Sequence, residues 1–159
     1  MENFIQLKKD NIFWVGIRDT EGNETGEHLE FDLEDIELPF RINDCEKKHN
    51  ENVQKLKAEM IIINKKQDKK GKYLLSANEE AKLKAIKEFY KEEEKALDLF
   101  LGEGGTRKLL NGRKPYYSMY DDISEMLEPI MPKLTERVTS IEDKIKEKYK
   151  INNDEDKVL

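Results

Sequence analysis

Two long stretches of helical periodicity, joined by a hydrophilic turn, constrain this chain more than any other feature. In the first, Ile42, Cys45, His49, Val53, Leu56, Met60 and Ile63 recur every three or four residues, the spacing of one helix face. A long helix from about Arg41 to Lys66 is predicted. Met60-Ile61-Ile62-Ile63 widens the apolar face, so that end is expected to be the more buried. Lys65-Lys66-Gln67-Asp68-Lys69-Lys70-Gly71-Lys72 reads as a turn, with Gly71 as its breaker. The second stretch has a start signal: Ser76-Ala77-Asn78-Glu79 fits a capping box, in which the Ser oxygen accepts from a free backbone N–H and the Glu reaches back. Leu83, Ile86, Phe89, Tyr90, Leu97, Phe100 and Leu101 supply its apolar side, and Gly102 is a natural stop. A long antiparallel helical hairpin follows.

The residues before the hairpin read as strands. Phe4-Ile5-Gln6-Leu7 is short and apolar, and Lys8-Lys9-Asp10-Asn11 is a turn. Ile12-Phe13-Trp14-Val15-Gly16-Ile17 is β-branched and aromatic. The stretch from Asp19 to Gly26 has loop composition, and His28-Leu29-Glu30-Phe31-Asp32-Leu33 alternates with period two. A three-stranded antiparallel meander is predicted, with a helix covering one face because so small a sheet is marginal alone. Pro39 closes the section.

Beyond the hairpin, Gly102-Glu103-Gly104-Gly105 is the most flexible stretch. Thr106 is expected to cap a short helix from Arg107 to Asn111, ended by Gly112. Pro115 fits the first turn of a helix through Tyr116, Tyr117, Met119, Ile123, Met126 and Leu127, which Pro129 and Pro132 end or kink. Leu134, Val138, Ile141, Ile145 and Tyr149 mark a last amphipathic helix. The fold class is α+β: a small N-terminal antiparallel β-meander packed on a mainly helical body with a long helical hairpin. The divisions are a β subdomain, 1–40, a helical domain, 41–150, and a flexible acidic tail, 151–159.

Composition narrows the function. Of 159 residues, 40% are charged and 36% hydrophobic, a profile of solvent-exposed helices around a thin core. The single Cys excludes an intramolecular disulfide and a Cys-based zinc cluster. No apolar run approaches the ~18 residues of a membrane span, and Met1-Glu2-Asn3 lacks a signal-peptide apolar region. A reducing cytoplasm and no membrane contact are expected. Net charge is −6, and residues 1–40 alone hold three basic against eleven acidic side chains. That balance argues against a nucleic-acid binder and for a protein partner. Pairing of the hairpin with a copy of itself, or extension of the free β-edge, would make a homo-oligomer.

Candidate chemistry is sparse. The glycine segment before Thr106-Arg107-Lys108 matches neither the P-loop nor G-x-G-x-x-G, and a tight corner is the better reading. Cys45 and His49 lie four apart on one helix face, a spacing that can present two metal ligands, but the plain alternative is a small apolar Cys and a boundary His. Glu92-Glu93-Glu94 and Asp121-Asp122 read as solvated faces with local ion pairs, and the Lys65–Lys72 knot as a solvated turn. No hydrolase or zinc-helix motif appears. The expectation is no enzyme, no cofactor and no metal. The densest apolar region is Phe100, Leu101, Leu109, Leu110, Tyr116, Tyr117, Met119 and Tyr120. Ordinary core packing is one reading. The other is a groove for a partner helix, since Tyr, Phe and Met are enriched at such sites.

The segment Leu99-Phe100-Leu101-Gly102-Glu103-Gly104-Gly105-Thr106-Arg107-Lys108-Leu109-Leu110-Asn111-Gly112 resembles the Phe-Gly-Glu-Gly-Thr segment, short helix and Gly turn of small tail-assembly chaperone-like proteins from phages and prophages of Gram-positive bacteria. Phe31-Asp32 before a long charged helix is similar too, as is the order of elements. The Lys-, Asn- and Glu-rich composition is similar to that of low-GC, clostridial-type proteins. The match is specific over about 40 residues, from Phe89 to Ile130. The chain departs from the family pattern by an extra N-terminal β-hairpin, an extra Gly in the corner and a longer segment from Pro132. The resemblance implies a non-enzymatic chaperone that covers apolar helices of a tape-measure protein before the tail tube encloses them, with Phe100, Leu101, Leu109, Leu110, Tyr116, Tyr117 and Met119 as the partner-binding residues and Gly102, Gly104 and Gly105 as hinges. Alternatives are a structural tail or baseplate component and a phage-encoded inhibitor of a host defence or regulatory protein.

Overall fold

A computed structural model describes residues 2–8 and 10–151. The order is β1 (Ile12–Arg18), β2 (Glu24–Asp32), α1 (Leu38–Asn64), α2 (Ala77–Leu101), α3 (Gly105–Leu110), α4 (Met119–Leu127) and α5 (Ile130–Tyr149). The fold is α+β, a small antiparallel sheet on a mainly helical body whose long members, α1 and α2, form the hairpin.

β1 and β2 pair with Phe13 opposite Phe31 and Val15 opposite Leu29. Period two puts these four and Ile17 on the face packed against the helices, while Trp14 stacks on His28 across the other face, ring centroids 4.9 Å apart. Asp19 closes the connection by accepting from the Glu21 and Asn23 N–H groups, both at 2.9 Å. The sheet has two strands, not three: Phe4, Ile5 and Leu7 are exposed and pair with nothing regular. Four residues offer few ladder hydrogen bonds, and the helices already stabilise the two strands that remain. The expected turn at Lys8–Asn11 includes Lys9, which lies outside the described residues, as does the expected acidic tail beyond Ile151.

α1 begins earlier than the periodicity predicts. Pro39 occupies its first turn, where a missing N–H costs nothing, so the residue expected to close the sheet section opens the helix instead. Asp35 steers the entry: its carboxylate accepts from the Glu37 N–H at 2.9 Å and from Arg41 at 2.7 Å. The Arg41 hydrogen bond, with the Glu37 N–H, holds its pKa below the usual carboxylate value. The capping box is present at α2, with Glu79 N–H to Ser76 Oγ at 3.2 Å and Ser76 N–H to Glu79 Oε1 at 3.1 Å.

The core lies at the sheet end of the hairpin, not at its tip. Leu38, Ile42, Leu97, Leu101, Leu110, Met119, Ile123, Leu127, Ile130 and Leu134 join Ile17, Leu29 and Phe31 in one buried cluster. Only Ile63 of the Met60–Ile63 run is buried. Ile61 and Ile62 are exposed, and so are Tyr73 and Leu74. Local hydrophobicity marked this end, but α3, α4, α5 and the sheet all pack at the other one, and burial follows them.

Of the two prolines near 130, Pro129 stands where α4 has just ended at Leu127, as expected, whereas Pro132 ends no helix. Pro129 is the N-cap of α5 and Pro132 falls in its first turn, so α5 runs from Ile130 through Pro132 to Tyr149. α4 starts at Met119, not Pro115. Arg113 lies over the Tyr116 ring, 3.7 Å from its centroid, and the Tyr116 carbonyl accepts from the Met119 N–H at 3.1 Å, which keeps residues 115–118 as a turn. Arg137 of α5 pairs with Glu34, tying the last helix back to the strand–helix junction.

Candidate functional site

α2 is buried unevenly along its length. Ala85, Glu93, Ala96, Leu97 and Leu101 point inward and are buried. Leu83, Ile86 and Tyr90 share the helical phase of Leu97 and Leu101, but they lie on the turns toward the hairpin tip, where they are left partly open. They floor an open groove of about 860 Å³, walled by Lys84, Lys87 and Lys91 on α2 and by Arg107, Lys114 and Pro115 across from it.

The far wall is held by the glycine corner. Gly102 and Gly104 have φ of +91° and +75°, values that favour a residue without Cβ. At Gly105 a Cβ would lie 2.5 Å from that of Leu101, so α3 can approach α2 only with hydrogen there. Asp98 closes the corner: its carboxylate accepts from the Thr106 N–H at 2.9 Å, the Thr106 hydroxyl at 2.7 Å and the Gly104 N–H at 3.2 Å. Asp98, reaching across from α2, therefore does the capping expected of Thr106, and Thr106 is itself fully buried. Arg107 then donates from Nε and a terminal nitrogen to the Glu94 carboxylate at 2.6 and 2.9 Å, a bidentate pair that fixes the groove wall. The three expected hinge glycines thus sit in a corner braced by Asp98.

The remaining expected partner-binding residues are divided. Leu101, Leu110 and Met119 are buried in the core, and Phe100, Leu109 and Tyr116 are half-buried against it. Tyr117, 89% exposed, is the one that presents its whole ring. Phe100 faces a smaller cavity of about 290 Å³ with Cys45, Tyr120 and Met131. The structure brings Phe100 against Phe31, centroids 5.1 Å apart, and leaves Tyr117 separate.

Comparison with known proteins decides nothing about family. No family model, curated protein or solved structure matches the chain.

The buried part of α2 carries a polar hub that sequence reasoning missed. Glu93, 2% exposed, accepts from His49 Nδ1 at 2.6 Å and from Asn52 Nδ2 at 2.9 Å. The His49 ring stacks on Tyr120 at 3.6 Å, almost parallel. Burial, followed by the Glu93 charge, pushes the Cys45 thiol up to about 11. Burial, followed by Cys45, pushes the Tyr120 phenol up to about 12. Cys45 is therefore a protonated thiol at neutral pH, a poor nucleophile. His49 is engaged by Glu93, and no group of three or more His, Cys, Asp or Glu among the described residues is arranged to hold a metal. Glu93 belongs to a run expected to be solvated. Its neighbours fit that expectation better, since Glu92 pairs with Lys48 and Lys95, and Glu94 with Arg107. The signal was present: Glu93 is four residues from both Phe89 and Leu97, on the inward stripe.

Among the described residues no helix is long and apolar enough to cross a membrane.

Proposed function

We propose that this chain is a non-enzymatic, protein-binding chaperone of phage tail assembly, acting in the host cytoplasm on apolar helical segments of a tape-measure protein before the tube forms. The observation that carries the binding half of this reading is the apolar floor of Leu83, Ile86 and Tyr90, left open between α2 and the Arg107–Pro115 wall. A trough of that shape suits one face of an amphipathic helix. The tail-assembly half rests on the resemblance around Phe100–Gly112. A charged exterior would keep a complex with an aggregation-prone apolar helix in solution. Contacts on a shallow floor would be individually modest, which suits a guest that must later be handed over.

The test is a tagged pull-down from cells with the prophage induced, paired with mass spectrometry of purified particles. A tape-measure protein in the pull-down and absence of the chain from particles is the expected result. A stoichiometric signal in particles would make it a structural tail or baseplate component, and a host protein as sole partner would make it an inhibitor.

A further inference from the structure

The groove is basic in an acidic protein. Five cationic side chains and two carboxylates line it, whereas the whole chain carries a net charge of −6. One of the carboxylates, Glu94, is already neutralised by Arg107. Lys87, Lys91 and Lys114 form no salt bridge among the described residues, although Lys84 on the same wall, and Lys48 and Lys95 elsewhere on the helices, find carboxylates within 3.2 Å. Unpaired lysines on both rims of an apolar floor present two positive edges with a hydrophobic strip between them.

We infer that the groove recognises an amphipathic helix of a partner protein whose apolar stripe is flanked by carboxylates. This rests on the protein-binding reading above and specifies the chemistry of the guest. Leu83, Ile86 and Tyr90 are spaced as one stripe of α2, so the guest lies alongside that helix. The lining runs from Leu83 to Glu94 on α2, a rise of roughly 17 Å, which accommodates about three helical turns of guest. Leu83 and Ile86 provide the apolar contact. Lys87 and Lys91 on one rim and Lys114 on the other meet carboxylates on either flank of the guest. Opposite charge at a rim chooses the partner and speeds encounter more than it adds affinity, so selectivity is the property to read. A nucleic acid fits this surface less well: the floor is aliphatic, with Tyr90 its one aromatic ring, and offers little stacking.

The experiment uses the full chain and three labelled helical peptides of roughly 14 residues. All share one Leu/Ile stripe, flanked by Glu, by Gln or by Lys, and binding is followed by fluorescence anisotropy beside a labelled oligouridine. The expected result is binding of the Glu-flanked peptide roughly tenfold tighter than the Gln-flanked one, with the gap closing in about 0.5 M salt. Lys87→Glu with Lys91→Glu should reverse the order toward the Lys-flanked peptide while the melting temperature stays close to that of the unmodified chain. Equal affinity for all three peptides would overturn the charge inference and leave an apolar groove. Failure of every peptide to bind would overturn the groove reading as well. Oligouridine binding tighter than the Glu-flanked peptide would assign the basic rim to nucleic acid instead.

Discussion

The buried and the open parts of α2 use similar residues for opposite ends. In the buried part, a carboxylate at Glu93 is enclosed with every partner supplied by α1, and Leu97 beside it is almost completely enclosed. In the open part, Leu83 is half exposed and Lys87 and Lys91 go unpaired. A buried polar group without partners costs far more than a hydrogen bond gains, so the buried part must be complete. An exposed lysine in water costs almost nothing, so the open part can be left for a partner to complete. The difference teaches where to look for function in a thin-cored helical protein: at apolar side chains with unspent charge around them.

The comparison breaks most readily at the buried part. Leu97→Ala should destabilise by about 3 kcal/mol in urea unfolding, against less than about 1 kcal/mol for Leu83→Ala in the open part. Equal losses would mean that both parts are core. Glu93→Ala should cost on the order of 2–3 kcal/mol, because His49 and Asn52 lose their shared acceptor. The same measurement on Glu93→Gln should give a smaller loss, since one amide oxygen remains to accept.

Gly105→Ala extends the test to the contact between α3 and α2. Its Cβ would fall 2.5 Å from that of Leu101, and overpacking of that kind costs about 1–3 kcal/mol. Alkaline pH probes the hub without mutation. The Cys45 and Tyr120 pKa values are raised from 9.0 and 10.0 to about 11 and about 12, so the folded state holds these protons more tightly than the unfolded state. Their contribution is full below pH 9 and is lost as pH rises through 11 to 12. Denaturation midpoints taken across that interval should fall, and a Cys45→Ala variant should fall less steeply. The smallest effect belongs to Lys87→Glu with Lys91→Glu, expected to change stability by no more than about 0.5 kcal/mol while changing which peptide binds.

Much of the architecture was legible. The capping box at Ser76, the Gly102 stop and the strand from Ile12 each carry a local physical signature and stand where they were placed, while the period-two strand read from His28 to Leu33 runs from Glu24 to Asp32 and takes in the end of the expected loop. What failed was non-local. The Met60–Ile63 run looked buried because it is apolar, yet no third element packs over that end. Phe4–Leu7 looked like a strand because of composition, but strand pairing is decided by a partner. Pro39 and Pro132 read as breakers and serve as first-turn residues, because the helices start just before them. For α2, Leu83, Ile86, Phe89 and Tyr90 were read as one apolar side. They span about 120°, an ordinary helix stripe, and Leu83, Ile86 and Tyr90 continue the line of Leu97 and Leu101. They stay open because less of the chain packs over that length of α2, which local periodicity does not reveal. Of the expected groove residues, the apolar density around Leu101, Leu110 and Met119 is core, and the open surface lies next to it, along Leu83 to Tyr90.

The most direct test of the division between the two parts is to map binding onto the chain by chemical-shift perturbation while titrating in the Glu-flanked helical peptide. The account predicts shifts concentrated at Leu83, Ile86, Tyr90, Lys91 and Lys114, with Cys45, Glu93 and Leu97 undisturbed. Shifts centred on Phe100, Tyr120 and the Cys45 cavity, with the open part silent, would contradict it.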